Sequence, residues 1–96
     1  MLQYLIIARD GNDAEALDRR MRVRPDHFKG ARVLKEKNNF ILGGAILDHT
    51  GKMTGSVMIL QFENEEEMKE WFENEPYVTG NVWQSIELKP FKVAEV

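Results

Sequence analysis

The chain has 96 residues, of which 43% are hydrophobic and 30% are charged, and a chain of this length forms one compact core rather than several. Its formal net charge of −3 argues against nucleic-acid binding, because such a protein must neutralise a run of phosphates. The absence of cysteine excludes a disulfide framework and a thiolate metal or redox site. We expect a single domain over residues 1–96, located in the cytoplasm, that binds neither nucleic acid nor a membrane.

A strand and a long helix are predicted first. The run Leu2 to Ala8 is too short to cross a bilayer, and it is apolar on both alternating faces, which is typical of a central strand covered on both sides. Asn12, followed three residues later by Glu15, resembles a capping box and predicts the start of the helix. Pro25 interrupts the helical pattern, and because proline lacks a backbone N–H we expect a kink or a restart near residues 23–24.

Two strands, a short helix and a last strand complete the predicted order. Asn64 is typical of an N-cap, and the second helix must end before Glu75 because the residue preceding a proline is pushed out of helical geometry. Pro90 restricts the last strand to an edge of the sheet. The predicted ranges are 40–47, 56–62 and 82–93 for the strands, 64–74 for the helix, and 77–80 for a turn.

The order strand, helix, strand, strand, helix, strand predicts an α+β fold of ferredoxin-like type. In this βαββαβ arrangement a four-stranded antiparallel sheet carries both helices on one face. The first and third strands are apolar on both sides, so the other face of the sheet would expose a contiguous apolar patch, and such patches usually mark an interface. We therefore expect a homodimer that packs sheet to sheet.

His27 is the most informative candidate for chemistry. Imidazole titrates near neutral pH, so it can give or take a proton without extreme tuning. On a helix it shares a stripe with Ala31 and Leu34, which would turn it inward at the edge of the core. The alternative is a structural histidine that packs there and hydrogen-bonds a carbonyl left free by Pro25.

Glu75 is the second candidate. It lies between the end of a helix and a proline, so its backbone is restrained and its carboxylate could be aimed into a cleft; the alternative is a solvated turn carboxylate in an acidic stretch. Ser56 could donate a hydrogen bond to a ligand or simply satisfy a turn. The pair Gly43–Gly44 suggests a bulge or a close approach of another group to the backbone.

Several basic residues and both histidines are candidates for binding roles. Arg24 and Arg32, with Lys29, could bind an anionic substrate or keep the helix solvated. A metal site can be imagined from two Asp-His pairs, but they lie on different elements and lack a recognised ligand spacing. We expect no metal and no cofactor. The two pairs are Asp26 with His27 and Asp48 with His49.

Five short motifs stand in a specific order and spacing along the chain. They are Arg24-Pro25-Asp26-His27, Gly43-Gly44, Thr54-Gly55-Ser56, Glu75-Pro76-Tyr77-Val78 and Lys89-Pro90-Phe91. With them the chain resembles the YCII-related, or YciI-like, family over essentially its whole length. The resemblance implies a dimeric α+β barrel with a cleft centred on a histidine and an aspartate that act as a catalytic pair.

Within that resemblance the histidine falls at His27. The position of the aspartate, directly before a proline, is taken by Glu75, which is one methylene longer. Glutamate is also a carboxylate that can orient an imidazole. The placement of the carboxylate matters, because a misplacement of about one ångström can cost on the order of a hundredfold in rate.

These observations lead to the hypothesis of a small cofactor-independent enzyme. His27, assisted by Glu75, would move a proton on a small cyclic or aromatic oxygenated substrate in an elimination or isomerisation. The resemblance points to chemistry like that of dehydrohalogenases or muconolactone isomerases. Arg24, Ser56 and Tyr77 would orient the oxygens of the substrate.

The glycines Gly43 and Gly44 would leave room beside the substrate in this hypothesis. Two alternatives remain open from the sequence. One is a non-catalytic dimer that binds a metabolite or a partner protein, with His27 as a polar contact. The other is a cofactor-free monooxygenase built on the same barrel.

Overall fold

Four strands form one antiparallel sheet in the order β2-β3-β1-β4. The ferredoxin-like α+β fold predicted from the order of elements is confirmed. The computed structural model describes residues 1–96. Its elements are β1 (Leu2–Asp10), α1 (Ala16–Glu36), β2 (Phe40–Leu47), β3 (Met53–Phe62), α2 (Glu65–Asn74), α3 (Pro76–Thr79) and β4 (Trp83–Phe91).

The two central strands, β1 and β3, alternate between a buried and a half-buried face. The period of two arises because successive side chains of a strand point to opposite sides of the sheet. One face packs against the helices and forms the core. Its buried residues on these strands are Tyr4, Ile6, Ala8, Ser56, Met58, Leu60 and Phe62.

The opposite side of the sheet, which we call the outer face, carries an apolar cluster. Leu5 pairs with Ile59 and Ile7 pairs with Val57 across the two central strands, and all four side chains are half-buried. Leu42 of β2 pairs with Ile59 and is 48% exposed. The outer face is thus apolar, as expected, while dimerisation through it stays a prediction.

Helix α1 continues through Pro25 without a break, so a restart near residues 23–24 is wrong, while a kink there stays a prediction. Proline removes one hydrogen bond, and the acceptor that loses its donor is the carbonyl of Met21. Met21 is 43% exposed, so this bond lies on the solvent side of the helix, where water can replace it. The packed face of the helix then compensates for one missing bond.

The predicted capping box at the start of α1 is also wrong. The helix begins at Ala16, and its N-cap, Glu15, makes no side-chain capping bond. Residues 14–15 form a turn instead, and the backbone N–H of Ala16 bonds the carbonyl of Asp13 at 3.2 Å. The carboxylate of Asp13 binds Arg19 rather than capping the helix.

The segment after β3 places a carboxylate in a fixed position. Asn64 caps α2 as predicted, because its side chain accepts from the N–H of Glu67 at 2.9 Å, and α2 ends at Asn74, before Glu75. The turn predicted at 77–80 is instead mostly a short helix, α3. Proline suits the first position of a helix, and Glu75 caps it by accepting from the N–H of Tyr77 at 3.1 Å.

Neither α1 nor the two shorter helices combine the length and the apolar character needed to span a bilayer. The cytoplasmic location expected from the sequence stays a prediction.

Candidate active site

His27 and Glu75 lie within hydrogen-bond distance of each other. The Nδ1 atom of His27 is 2.5 Å from Oε1 of Glu75, and the two residues are only 8% and 2% exposed. The same carboxylate oxygen accepts the backbone N–H of Tyr77 at 3.1 Å. The carboxylate is therefore held by the start of α3 as well as by the imidazole, so the extra methylene of glutamate does not prevent the contact.

The second ring nitrogen of His27, Nε2, has no hydrogen-bond partner in the protein. It is not among the polar atoms that are buried without a partner, so it is accessible to small molecules. When Nδ1–H donates a hydrogen bond to the carboxylate, the neutral imidazole carries its lone pair on Nε2. His27 lines a cavity between α1 and the β2–β3 side of the sheet. The arrangement can thus present a base to a ligand in that cavity.

Aromatic side chains hold the imidazole ring in place. Tyr77 stacks on it with ring centroids 3.9 Å apart and planes 13° apart, and Trp83 contacts it edge-on at 6.0 Å. Tyr77 is fully buried and does not line the cavity. The structure thus places Tyr77 beneath His27, whereas the sequence hypothesis made it a contact of the substrate.

Burial also determines the chemistry of Tyr77. It raises the pKa of the phenol above its ordinary value of 10.0, more than the nearby cations lower it. The hydroxyl has no hydrogen-bond partner. Tyr77 therefore remains a neutral phenol at physiological pH and acts on His27 through its ring.

The cavity has a volume of about 330 Å³, at the lower end of the range for small-molecule sites. Four cationic side chains line it together with His27, and no carboxylate does. Apolar side chains form much of the remaining wall. The cations are Arg20, Arg24, Arg32 and Lys35, and the larger apolar side chains are Phe28, Phe40 and Met58.

The other predicted site residues, apart from Tyr77, also meet at this cavity. Arg24, Ser56 and the pair Gly43–Gly44 all line it, whereas Lys29 does not. A Cβ added to Gly43 would lie 3.1 Å from the ring of Phe40, so the glycine leaves space for that aromatic wall. These positions fit the sequence hypothesis, and the roles of the residues toward a ligand stay predictions.

Arg20 is a site residue that sequence reasoning missed. It is 3% exposed, its Nη1 lies 3.1 Å from both carboxylate oxygens of Asp10, and its Nη2 donates to Oγ of Ser56 at 2.9 Å. Arg20, Arg24 and His27 follow at intervals of four and three residues, the spacing of one helix face. A charged residue on the stripe that carries His27 was the available signal.

The buried ion pair behind the cavity has its own electrostatics. Burial raises the pKa of Asp10, and the charge and hydrogen bonds of Arg20 oppose this effect without cancelling it. Trp83 adds a second hydrogen bond to Ser56, from Nε1 to Oγ at 3.1 Å. No group of three or more His, Asp or Glu side chains is placed to hold a metal ion.

Comparison with known proteins determines the family. The model of the YCII-related domain matches residues 2–92. The chain belongs to the YCII-related family. The YCII-family relatives include Protein YciI of Escherichia coli O6:H1, which is 32% identical over 95 residues, 93% of this chain and 95% of that protein. An uncharacterized protein of Haemophilus influenzae is 34% identical over 97 residues, 95% of this chain and 97% of that protein.

Solved structures show that this YCII-family chain shares its fold with other proteins. A 5-chloro-2-hydroxyhydroquinone dehydrochlorinase from Burkholderia phenoliruptrix, in complex with 2,5-dihydroxybenzoquinone, has a TM-score of 0.80 at 23% identity, covering 96% of this chain and 95% of that chain. A dimeric ferredoxin-like protein from Jannaschia has a TM-score of 0.60 at 10% identity, covering 97% and 100%. At these identities the likeness concerns the fold.

Proposed function

We propose that this YCII-family protein is a cofactor-independent acid–base enzyme that acts on a small cyclic or aromatic oxygenated molecule. The observation that carries the proposal is the orientation of His27. Its Nδ1 contacts the buried carboxylate of Glu75, and its Nε2 has no partner in the protein although the residue lines a cavity.

The proposed mechanism begins with removal of a proton by His27. Nε2 takes a proton from a hydroxyl or carbon of the substrate, and the carboxylate of Glu75 stabilises the charge that the ring gains. In an elimination, the electron pair left behind forms a double bond as a leaving group departs with its own electron pair. In an isomerisation, the same proton returns to another carbon. The fold shared with a dehydrochlorinase favours elimination.

The walls of the cavity supply the positioning in this proposal. Arg24 and Ser56 orient the oxygens of the substrate, and Gly43–Gly44 leave room beside it. Tyr77 acts as a positioning residue, because its ring stacks on the imidazole at 3.9 Å. Such positioning matters because the rate depends on placing the base within hydrogen-bond reach of the proton that it removes.

Chloride release tests the proposal, with 5-chloro-2-hydroxyhydroquinone as the substrate probe and 2,5-dihydroxybenzoquinone as the binding probe. We expect the wild-type protein to release chloride and to bind the quinone. The His27→Asn variant should lose about 10²–10⁴-fold in rate. His49→Asn is the matched control, since His49 is exposed on the β2–β3 turn, and it should keep the wild-type rate.

Two outcomes would count against this proposal. Chloride release that survives in His27→Asn would remove His27 as the base. Tight quinone binding with no turnover in the wild-type protein would replace the enzyme by a non-catalytic metabolite-binding module.

We also propose that the protein works as a homodimer joined through the outer face. The cluster of Leu5, Ile7, Val57 and Ile59 gives that face an apolar surface without a cover in the single chain. The ferredoxin-like protein from Jannaschia, which shares the fold, is dimeric. A partner on this face would give the sheet the second covered side that its apolar pattern favours.

A further inference from the structure

We infer that the ligand of this cavity is an anion: a single planar ring that carries a negatively charged oxygen group, bound by Arg24, Arg32 and Lys35. This inference rests on the proposed function for the location of the site. It goes beyond that function in naming the charge of the ligand and the residues that recognise this charge. Arg32 and Lys35 become specificity-determining residues.

The charge of the cavity is opposite in sign to the charge of the whole chain. The chain as a whole has a formal charge of −3, yet the cavity is lined by four cations and by no carboxylate. Such an excess of one sign in a concave site focuses the electric field and raises the local concentration of counter-ions. An acidic protein with a cationic hollow is arranged to attract anions at that place.

Three of these cations have no protein carboxylate as a partner. Arg20 is compensated by Asp10. Arg24, Arg32 and Lys35 take part in none of the ion pairs of the protein. Their charges are therefore available to a ligand.

The same three cations lie along one side of α1. Arg24, Arg32 and Lys35 recur at spacings of eight and three residues, so they share one wall of the cavity. The guanidinium carbon of Arg24 lies over the ring of Phe28, 4.3 Å from its centroid. A guanidinium without a carboxylate partner can make a bidentate contact with a carboxylate or a pair of ring oxygens.

The hydroxyl of Ser56, which lines the cavity, has a hydrogen that no group of the protein accepts. Oγ of Ser56 accepts from both Arg20 and Trp83, so its own hydrogen is left to donate. That hydrogen requires an acceptor, and an oxygen-bearing ligand in the cavity supplies one.

The size and the apolar walls limit the rest of the ligand. A volume of about 330 Å³ accommodates one ring with a few substituents and is small for a nucleotide. Phe28, Phe40 and Met58 offer flat or adaptable apolar surface to the faces of such a ring. The cavity thus combines apolar contact in its middle with positive charge along the α1 wall.

Isothermal titration calorimetry with a matched pair of probes tests this inference. The probes are 2,5-dihydroxybenzoate and its neutral carboxamide, which have nearly the same shape and differ in charge. We expect the wild-type protein to bind the acid at least about tenfold more tightly than the amide. In Arg32→Gln and in Lys35→Gln, the affinity for the acid should fall about three- to tenfold while the affinity for the amide stays unchanged.

Matched controls come from the same helix. Arg22 and Lys29 are exposed on α1 and do not line the cavity, so Arg22→Gln and Lys29→Gln should leave both affinities unchanged. Equal affinities for acid and amide, absence of binding by the acid, or an equal loss in the control variants would overturn the inference. His27→Asn separates the two proposals, because it should lower the rate of turnover by about 10²–10⁴-fold while keeping the preference for the acid.

Discussion

At the scale of single residues, the site depends on how little freedom is left to Glu75. Its carboxylate is the N-cap of α3 and also the partner of His27, so one side chain both starts a helix and orients the imidazole. The family resemblance implies an aspartate where this chain has Glu75, and the longer side chain raised a question of reach. The longer side chain fits because the backbone of Glu75 lies between the two helices. Its side chain points into the protein, and the residue is only 2% exposed.

Replacement of Tyr77 by phenylalanine separates the two roles considered for this residue. The buried hydroxyl has no hydrogen-bond partner, so removing it should leave the free energy of unfolding unchanged or raise it by about 1–3 kcal/mol. The stacked ring is kept, so binding of the quinone probe should also be kept. Urea denaturation and calorimetry measure the two quantities, and a loss of binding at unchanged stability would instead make the hydroxyl a substrate contact.

The same variant has a pH signature. The folded protein keeps the Tyr77 proton at pH values where the unfolded chain loses it, because burial raises the pKa above 10.0. Stability due to this group is therefore complete below pH 10 and declines as the pH rises through the folded pKa. Tyr77→Phe should lack this part of the alkaline decline, whereas an identical decline in both proteins would show that Tyr77 ionises as freely as an exposed phenol.

At the scale of elements, the sequence predicted the strands and the limits of α2 better than the start of α1. Apolar residues on both faces marked β1 as a central strand, and Pro90 placed β4 at the edge, since both signals are local. The start of α1 was missed because Asp13 binds Arg19 six residues later, a choice that spacing alone does not reveal. Pro25 does not end the helix, because the loss of one hydrogen bond on a solvent-facing turn destabilises the helix less than its packed face stabilises it.

The end of β1 is joined to α1 by the buried pair of Asp10 and Arg20, and this pair gives a test of the connection. Asp10→Ala leaves the charge of Arg20 buried and without a partner, so it should lower the free energy of unfolding by about 3–5 kcal/mol. Asp13→Ala, which breaks the more exposed pair with Arg19, is the control and should cost clearly less. Equal losses in urea denaturation would show that the Asp10 pair contributes no more than a surface contact.

Arg20 also shows why part of the site escapes sequence reasoning. A basic residue on an amphipathic helix is usually solvated, and nothing in the local pattern brings Asp10 and Ser56 to it. These contacts arise from sheet register, which sets Ser56 opposite Ala8 on the neighbouring strand. His27 and Glu75 could be singled out because each lies within two residues of a proline in a recognisable motif, whereas the partners of Arg20 converge only in three dimensions.

At the scale of the whole molecule, the outer face determines whether the chain acts alone. Ile7→Lys places a charge in the middle of the apolar cluster, so we expect the proposed dimer to dissociate to the 11.2 kDa chain, because an uncompensated buried charge opposes association. Val33→Lys is the control, since Val33 is exposed on α1, away from the sheet. Light scattering measures both masses, and a wild-type protein that is already monomeric would refute the dimer.

In the proposed mechanism His27 presents an unprotonated Nε2 to the cavity while its Nδ1–H donates to Glu75. Long-range ¹H–¹⁵N spectra of the imidazole at pH 8, recorded with and without 2,5-dihydroxybenzoquinone, test this arrangement directly. We expect the free protein to carry its ring proton on Nδ1 and the quinone to shift the Nε2 resonance most. A proton on Nε2 in the free protein, or an Nε2 resonance that saturating quinone leaves unchanged, would contradict the account.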